Sequence, residues 1–428
     1  MRGRGFTRDP SVAPTGSISN AELATMAAST IKGNATAGTA APTDLTALQA
    51  WTVMGMPGVS VLQYGAVRDG ATDDTTAIQA AITAVGAAGG GTVWIPRNVY
   101  RFTTLSLVSA NVVLLGEPGT ILETTTLTGN IISLGAVAGL GCRNIHVRTS
   151  GTPSSSVTFR LLGDDQFLDR CTVENAFYGV LTTVGSRIRI ENCRFVSTAD
   201  IAILIGLIGE ACAAPIIAGN IIQAVAGTGN AIWMRYSSDG LVSGNQIVDV
   251  TGGDAILIDA DAPRTRVIGN LIAGGTDDGI LLNGAADCVI ESNVISGFTD
   301  RAIDVATATT GAIVRNNRCT GNGTNGPVVP TYTLASDIIT LKGDFGVPVV
   351  VDTEAAAASD ALVTINGGQL GQQITVVAAN GARDVVVTDT TGNIQLSANM
   401  TLNNIQDAIT LLYDGSIWRE VGRCDAGA

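Results

Sequence analysis

The chain has 428 residues, of which 46% are hydrophobic and only 14% charged, with 52 Gly and a net charge of −13. That composition suits a large folded protein with many tight turns and excludes extensive disorder. Lys342 is the only Lys between Gly33 and Asp344, so the counterion release that drives nucleic-acid binding has little to work with, and no nucleic-acid partner is expected.

Residues 1–57 are rich in Ala, Thr, Ser and Gly and hold too few large apolar groups for a core of their own. Ser19 to Ala27 reads as a weak helix and Ile31 to Thr36 as a turn. The basic start, Met1 to Phe6, is followed by no apolar stretch of signal type, and no run of ~18 apolar residues occurs, so neither general secretion nor membrane insertion is expected.

From Tyr64 the chain becomes informative. In Tyr64-Gly65-Ala66-Val67-Arg68-Asp69-Gly70-Ala71-Thr72-Asp73-Asp74, Thr72 or Asp73 is placed to cap a helix with Asp73 and Asp74 in its first turn, where the helix dipole favours negative charge. Ala77, Ile78, Ala81, Ile82 and Val85 recur at helical spacing. Gly89-Gly90-Gly91 ends the helix, and Thr92-Val93-Trp94-Ile95 reads as a strand stopped by Pro96.

A repeat follows. The segments ending at Cys171, Cys193, Asn220, Asn245, Asn270, Asn293 and Asn317 share an apolar pattern, and those residues are 22, 27, 25, 25, 23 and 24 positions apart. A second series, Val180, Ile203, Ile232, Ile256, Ile280 and Ile303, follows within the same period. Two short strand patterns per period, each bounded by Gly or Asn, predict an all-β parallel β-helix over 58–326. Stacked coils turn the Asn position into a hydrogen-bonded ladder that also holds a left-handed turn, continued by Cys171 and Cys193. The seven Cys, an odd number without metal-ligand spacing, read as small buried hydrophobes. Open ends would invite aggregation, so the Thr72 to Val85 helix is expected to cap one end and residues beyond Gly323 the other. Residues 327–428 read as a separate antiparallel β domain with turns at Asn366-Gly367-Gly368, Asn380-Gly381 and Asp414-Gly415.

Candidate functional residues fall on the second series. Its outward slot holds Leu204, Trp233, Leu257, Leu281 and Asp304, and apolar groups stacked on the outside predict a subunit interface through Leu204, Leu257 and Leu281, or cover by a loop, or a glycan-stacking strip. The slot before the strand holds Tyr178, Ile201, Asn230, Asp254, Asp278 and Arg301, which puts Asp254 and Asp278 on neighbouring coils with Asp277 alongside. Repulsion between such carboxylates would raise one pKa and give a proton donor beside an ionised partner. Glycosidases use that pairing at about 5–5.5 Å for retention and ~6.5–9.5 Å for inversion. Asp and Gly are also ordinary turn formers. Trp233, Arg235 and Tyr236 combine aromatic faces with a guanidinium and make a glycan-binding candidate. His146 is expected to point outward without a partner. No metal site or cofactor is expected.

The Tyr64 to Pro96 stretch resembles the opening motif of the pectate-lyase-like superfamily of right-handed β-helices, in the form common among bacteriophage tailspikes and some glycan-cleaving enzymes. Leu23-Ala24-Thr25-Met26-Ala27, Ile31-Lys32-Gly33-Asn34-Ala35-Thr36 and Asp44-Leu45-Thr46 resemble a recurring segment of phage tail fibres. Thr391-Gly392-Asn393 and Trp418-Arg419-Glu420 are similar to parts of trimer-forming distal domains. The resemblance implies a homotrimeric tailspike or fibre made in the bacterial host cytoplasm, with residues 1–57 docked on other tail or capsid proteins and the β-helix facing host surface polysaccharide. Gly253-Asp254 and Thr276-Asp277-Asp278-Gly279 resemble the paired acids of polygalacturonase-type hydrolases, although the Gly-His-Gly and Arg-x-Lys elements of those enzymes are missing. An endo-acting depolymerase, a hydrolase rather than a lyase, therefore stands beside simple attachment and a purely architectural spike.

Overall fold

The computed structural model describes residues 31–36, 38–40, 42–46, 49–50, 53–54, 58–306, 308–328 and 331–426. The helix expected at Ser19 to Ala27 lies outside the described residues. Ile31–Gly33 pairs antiparallel with Thr43–Leu45.

The solenoid is built from three parallel sheets of 12, 11 and 10 strands. Each coil visits the first sheet, turns at the Asn corner into the second, and turns again into the third. One coil runs through Ile216–Ala218, Ile221–Val225 and Ile232–Met234, burying Ile217, Ile222, Val225, Ile232 and Met234 while intervening residues face outward. Three strands per coil, rather than the two patterns expected, arise because the Asn corner consumes only two residues. The two expected patterns are the first and third strands, and the second, Ile221–Val225 here, follows the Gly219-Asn220 corner directly and lies outside both. Like stacks on like: Ile217, Val242, Val267, Ile290 and Val314 form one inward column, and Ile203, Ile232, Ile256, Ile280 and Ile303 another. Each such aliphatic side chain contributes about 1.5–3 kcal/mol by leaving water.

The Asn ladder forms as expected. Backbone N and Nδ2 of Asn220 both donate to Oδ1 of Asn245 at 2.9 Å, and the pattern repeats through Asn270, Asn293 and Asn317 at 2.9–3.0 Å. Cys193 continues it by donating its N–H to Asn220 Oδ1. The left-handed residue, however, is the one before the ladder: Arg170, Asn192, Gly219, Gly244, Gly269, Ser292 and Asn316 have φ of 52–66°. The ladder amides instead reach back to the preceding coil, as Asn245 Nδ2 does to the Ile217 carbonyl. Five Cys are buried, whereas Cys319 is half-buried and Cys424 exposed, outside the reading made for all seven.

The cap helix, α1, spans Thr75–Ala87 and buries Ile78, Ala81, Ile82 and Val85 over the first coils. Its N-cap is Asp74 rather than Thr72 or Asp73, and neither acid lies in the first turn. Asp74 turns back to accept from the Val67 and Arg68 N–H groups, while Asp73 accepts from Thr75. Gly89, Gly90 and Gly91 have φ of +93°, +108° and +135°, and a Cβ on Gly90 would meet Asn111 Cβ at 2.8 Å, so glycine is required there. At the other end Gly343–Asp344 pairs with Ala312–Arg315 as the final strand of the first sheet, and Phe345 closes the core.

The C-terminal region is a β-sandwich around fully buried Trp418. Its antiparallel strands Gln373–Ala378, Ala408–Tyr413 and Trp418–Cys424 are joined to parallel pairs. Trp418 Nε1 donates to the Ile365 carbonyl and Asn393 Nδ2 to the same oxygen. The two sequence segments noted around Asn393 and Trp418 therefore meet on one backbone group.

Replacing Asn245 by Leu should lower stability by about 2–4 kcal/mol, because the Asn220 donors and the Ile217 carbonyl lose their partner in a dry corner. Guanidinium unfolding followed by circular dichroism reads this directly; a loss below ~0.5 kcal/mol would mean the ladder carries no load.

Candidate functional site

The second corner of each coil, between the second and third sheets, carries its own ladder. The Asp254 N–H donates to Asn230 Oδ1 at 2.8 Å, the Asp278 N–H to Asp254 Oδ1 at 3.3 Å and the Arg301 N–H to Asp278 Oδ1 at 3.0 Å. Each side chain thus accepts from the backbone of the next coil, and the stacking that aligns Asn at the first corner aligns acids here.

The ladder brings Asp254, Asp277 and Asp278 together, with one carboxylate oxygen from each lying within 4.8 Å of the others. Asp254 is 5% and Asp278 3% exposed, while Asp277 is open to solvent. Burial is the first cause that pushes Asp254 up to about 7, with the charges of Asp277 and Asp278 adding to it. Burial likewise raises Asp278 to about 6, against the Arg301 N–H that its carboxylate accepts. Mutual repulsion was the expected cause; desolvation is the larger one. Arg301 also lies 3.7 Å from Asp278 and 2.8 Å from Asp304. The arrangement therefore joins carboxyls held toward neutrality to an exposed carboxylate and a guanidinium. Three oxygens this close also fall within reach of one divalent cation at ~2.4 Å per bond. A cation needs ionised donors, however, and burial works against ionisation at Asp254 and Asp278, so proton exchange fits the environment better.

Leu204, Trp233, Leu257, Leu281 and Asp304 stand in register along the outer face of the third sheet. Leu204 already has cover within the chain: it clusters with Val157, Leu181 and Ile201, and Leu207, Tyr178 and Trp233 pack against them. Leu257 is 9% exposed and Leu281 half-buried.

Trp233 donates through Nε1 to Asp259 Oδ2 at 2.9 Å, and Asn283 holds the other oxygen. The Arg235 guanidinium lies 4.7 Å from the Trp233 ring centre and 5.1 Å from that of Tyr236. These three residues are brought together, but the indole's donor is taken and Arg235 covers ring surface. His146 does point outward, yet it has a partner, Glu174 Oε2 at 2.9 Å. Burial lowers its pKa, with Glu174 pulling it back up. Arg301 and Asp304 occupy the same two repeat slots as the candidates, whereas Asp259, the Trp233 partner, lies outside both.

Residues 162–334 match the family model of the right-handed β-helix region, and residues 336–419 that of the phage depolymerase C-terminal β-sandwich domain. Among curated proteins, mannuronan C5-epimerase AlgE3 of Azotobacter vinelandii is 62% identical over 42 residues, covering 10% of this chain and 2% of that protein. AlgE6 of the same organism is 45% identical over 80 residues, covering 19% and 8%. The match thus spans only a small part of these relatives' length. The solved Dettilon tailspike protein superposes with a TM-score of 0.52 at 12% identity, covering 83% of this chain and 76% of that one. PfbA, a surface adhesin of Streptococcus pneumoniae, gives 0.50 at 12% identity, covering 85% and 98%. At such identities the likeness is one of fold. The chain thus has the fold of a right-handed parallel β-helix followed by a β-sandwich, and these two regions match the models of the right-handed β-helix region and of the phage depolymerase C-terminal domain respectively.

Proposed function

We propose that the protein is a tailspike-type depolymerase that binds a host surface polysaccharide and cleaves it at Asp254, Asp277 and Asp278. The observation that carries the reading is a buried carboxyl titrating near 7 beside an exposed carboxylate on the outer face of a solenoid. Asp254, which burial keeps largely protonated below about 7, is suited to donate a proton to a departing glycosidic oxygen. Asp277 is the carboxylate open to substrate. Their oxygens are closer than the ~6.5–9.5 Å that an inverting enzyme leaves for water, which favours retention. Arg301 supports a second chemistry: beside Asp278 it can neutralise a uronate carboxylate, which elimination from an acidic sugar would need.

In this reading the C-terminal sandwich is distal, the chain is a virion appendage docked through its N-terminal residues, and it works as a homotrimer. Leu281, half-buried and outward, is the stripe residue that a neighbouring subunit would cover, with Leu257 packed beside it on the adjacent strand.

Replacing Asp254, Asp277 or Asp278 singly by Asn should lower cleavage of the cognate polysaccharide at least ~100-fold while binding persists. Reducing-end release without an ultraviolet-absorbing unsaturated product marks hydrolysis; appearance of that product marks elimination. Unchanged cleavage in all three variants would remove the acid cluster from the reaction. Wild-type rate should fall as pH rises above about 7, where Asp254 loses its proton.

The same titration acts on stability. Native Asp254 keeps its proton up to about 7, whereas an unfolded Asp releases it near 3.8, so between those values the native state binds more protons. Its stability contribution is complete at low pH and is lost as pH rises through about 7. Asp254→Asn, which retains the acceptor that Asn230 already supplies in the same slot, should therefore match wild type near pH 4 and exceed it by about 1–3 kcal/mol near pH 8. Equal denaturation midpoints at both pH values would contradict the buried, neutral carboxyl.

Light scattering should give a mass near three times the 43.6 kDa chain. Leu257→Lys should shift it toward the monomer, and an unchanged assembly would place the contact elsewhere.

A further inference from the structure

The outer face of the first sheet carries a group of residues that neither the acid corner nor the apolar stripe uses. Gly141, Phe167 and Arg189 are in register on three successive strands, and so are Arg143, Asp169 and Glu191. A Cβ on Gly141 would meet Phe167 Cζ at 2.3 Å, so the glycine leaves the ring room to lie across its neighbour strand. The Arg143 guanidinium stands 4.8 Å from the ring centre and that of Arg189 5.9 Å, one from each flanking strand. Together with Arg170, Asp169, Glu191 and Asn192 they line an open cavity of about 580 Å³.

This place joins two arginines without a close carboxylate partner to one aromatic ring over a cavity. Two other arginines of the solenoid are taken by bidentate carboxylates: Arg187 meets Asp165 at 2.7 and 2.8 Å, and Arg264 meets Asp239 at 2.6 and 2.9 Å. Arg143 comes no nearer than 3.7 Å to Asp169, whose Oδ2 already accepts from Arg170 at 2.9 Å. Arg189 comes no nearer than 4.0 Å to Glu191. Both separations exceed hydrogen-bond range, so two planar donor sets face a hollow above an aromatic floor with their donors unspent. Guanidinium forks of this kind match a carboxylate, and an aromatic face suits the apolar face of a sugar ring. On a chain of net charge −13, a long polyanion gains little from the surface as a whole, whereas one anionic sugar residue needs only this pocket, whose size lies in the usual range for small ligands, ~300–1,000 Å³.

We propose that Arg143, Phe167 and Arg189 form a second, non-cleaving glycan site that holds a carboxylate-bearing sugar, a uronate residue of an acidic polysaccharide. The choice of a glycan rests on the depolymerase reading above; the choice of an anionic one rests on the arginine pair. A polymer held on the first sheet would stay attached while the third sheet acts on another stretch of chain.

Isothermal titration of the full-length protein with oligogalacturonate and oligomannuronate, with maltooligosaccharide as the neutral control, tests this. It is done in the Asp278→Asn background so that cleavage does not intervene. At least one uronate oligomer should bind, the neutral one should not, and affinity should fall with added salt. Arg189→Gln, at an exposed side chain without a hydrogen bond, should weaken binding about tenfold, Arg143→Gln with Arg189→Gln further, and Phe167→Tyr little. Absence of uronate binding, equal binding of the neutral oligomer, or wild-type affinity in the double variant with a native circular dichroism spectrum would each overturn the proposal. Those outcomes leave the acid cluster untouched. Conversely, uronate binding lost in the arginine variants, together with cleavage unaffected in all three Asp variants, would uphold this site and sink the depolymerase reading.

Discussion

The structure depends on one constraint: every coil must turn at corners that stack on those of the coils beside it, and each stacked corner must satisfy its own backbone. At the first corner a left-handed residue reverses the chain and the Asn after it takes over the hydrogen bonding. Gly tolerates that conformation at no steric expense and Asn at little, and the slot holds Gly219, Gly244 and Gly269 on three successive coils and Asn192 and Asn316 on two others, with Arg170 and Ser292 also adopting it. Because the amide is both donor and acceptor, one residue type can bond to itself from coil to coil without leaving an orphan. The stacking register of all three sheets follows from those fixed corners.

That register has a chemical consequence at the second corner. A side chain there accepts the backbone N–H of the next coil, and Asn230, Asp254 and Asp278 all satisfy the requirement. Substituting carboxylate for amide leaves the hydrogen bond in place and introduces a titrating group in a position that is already dry. The raised pKa of Asp254 is thus produced by the scaffold's own geometry, with neighbouring charge as an addition. The solenoid thus places a titrating carboxyl in a structural slot by a change of a single heavy atom per coil.

The ends obey a related constraint, since a parallel β-helix without caps presents open edges. Helix α1 covers the first, and the second is closed by Gly343–Asp344 and Phe345, contributed from beyond the last full coil. The outer faces differ in kind: apolar to acidic along the third sheet, and an aromatic ring between arginines on the fourth to sixth strands of the first sheet. A flat, rigid, repetitive scaffold can present several unrelated surfaces because its inward residues alone carry the fold.

The sequence by itself determined the solenoid, because a two-dozen-residue period with Gly or Asn at one slot and apolar residues at alternate positions has no other way to bury its hydrophobic groups. It also determined the cap helix, the triple-glycine stop, the Asn ladder and the neighbourhood of Asp254 with Asp278, all of which are matters of spacing along a regular object. The second-sheet strand of each coil, such as Ile221–Val225, was not legible, since it starts directly after a two-residue corner. Nor was the N-cap at Asp74, the Glu174 partner of His146, or the pocket of Arg143, Phe167 and Arg189, where identical residue types elsewhere form closed ion pairs. Only the tertiary structure decided burial and donor distance, and those quantities separate a carboxyl near neutrality from a turn former and an uncommitted arginine from a paired one. They depend on what packs above and beside a residue in three dimensions, which periodicity along the chain does not encode.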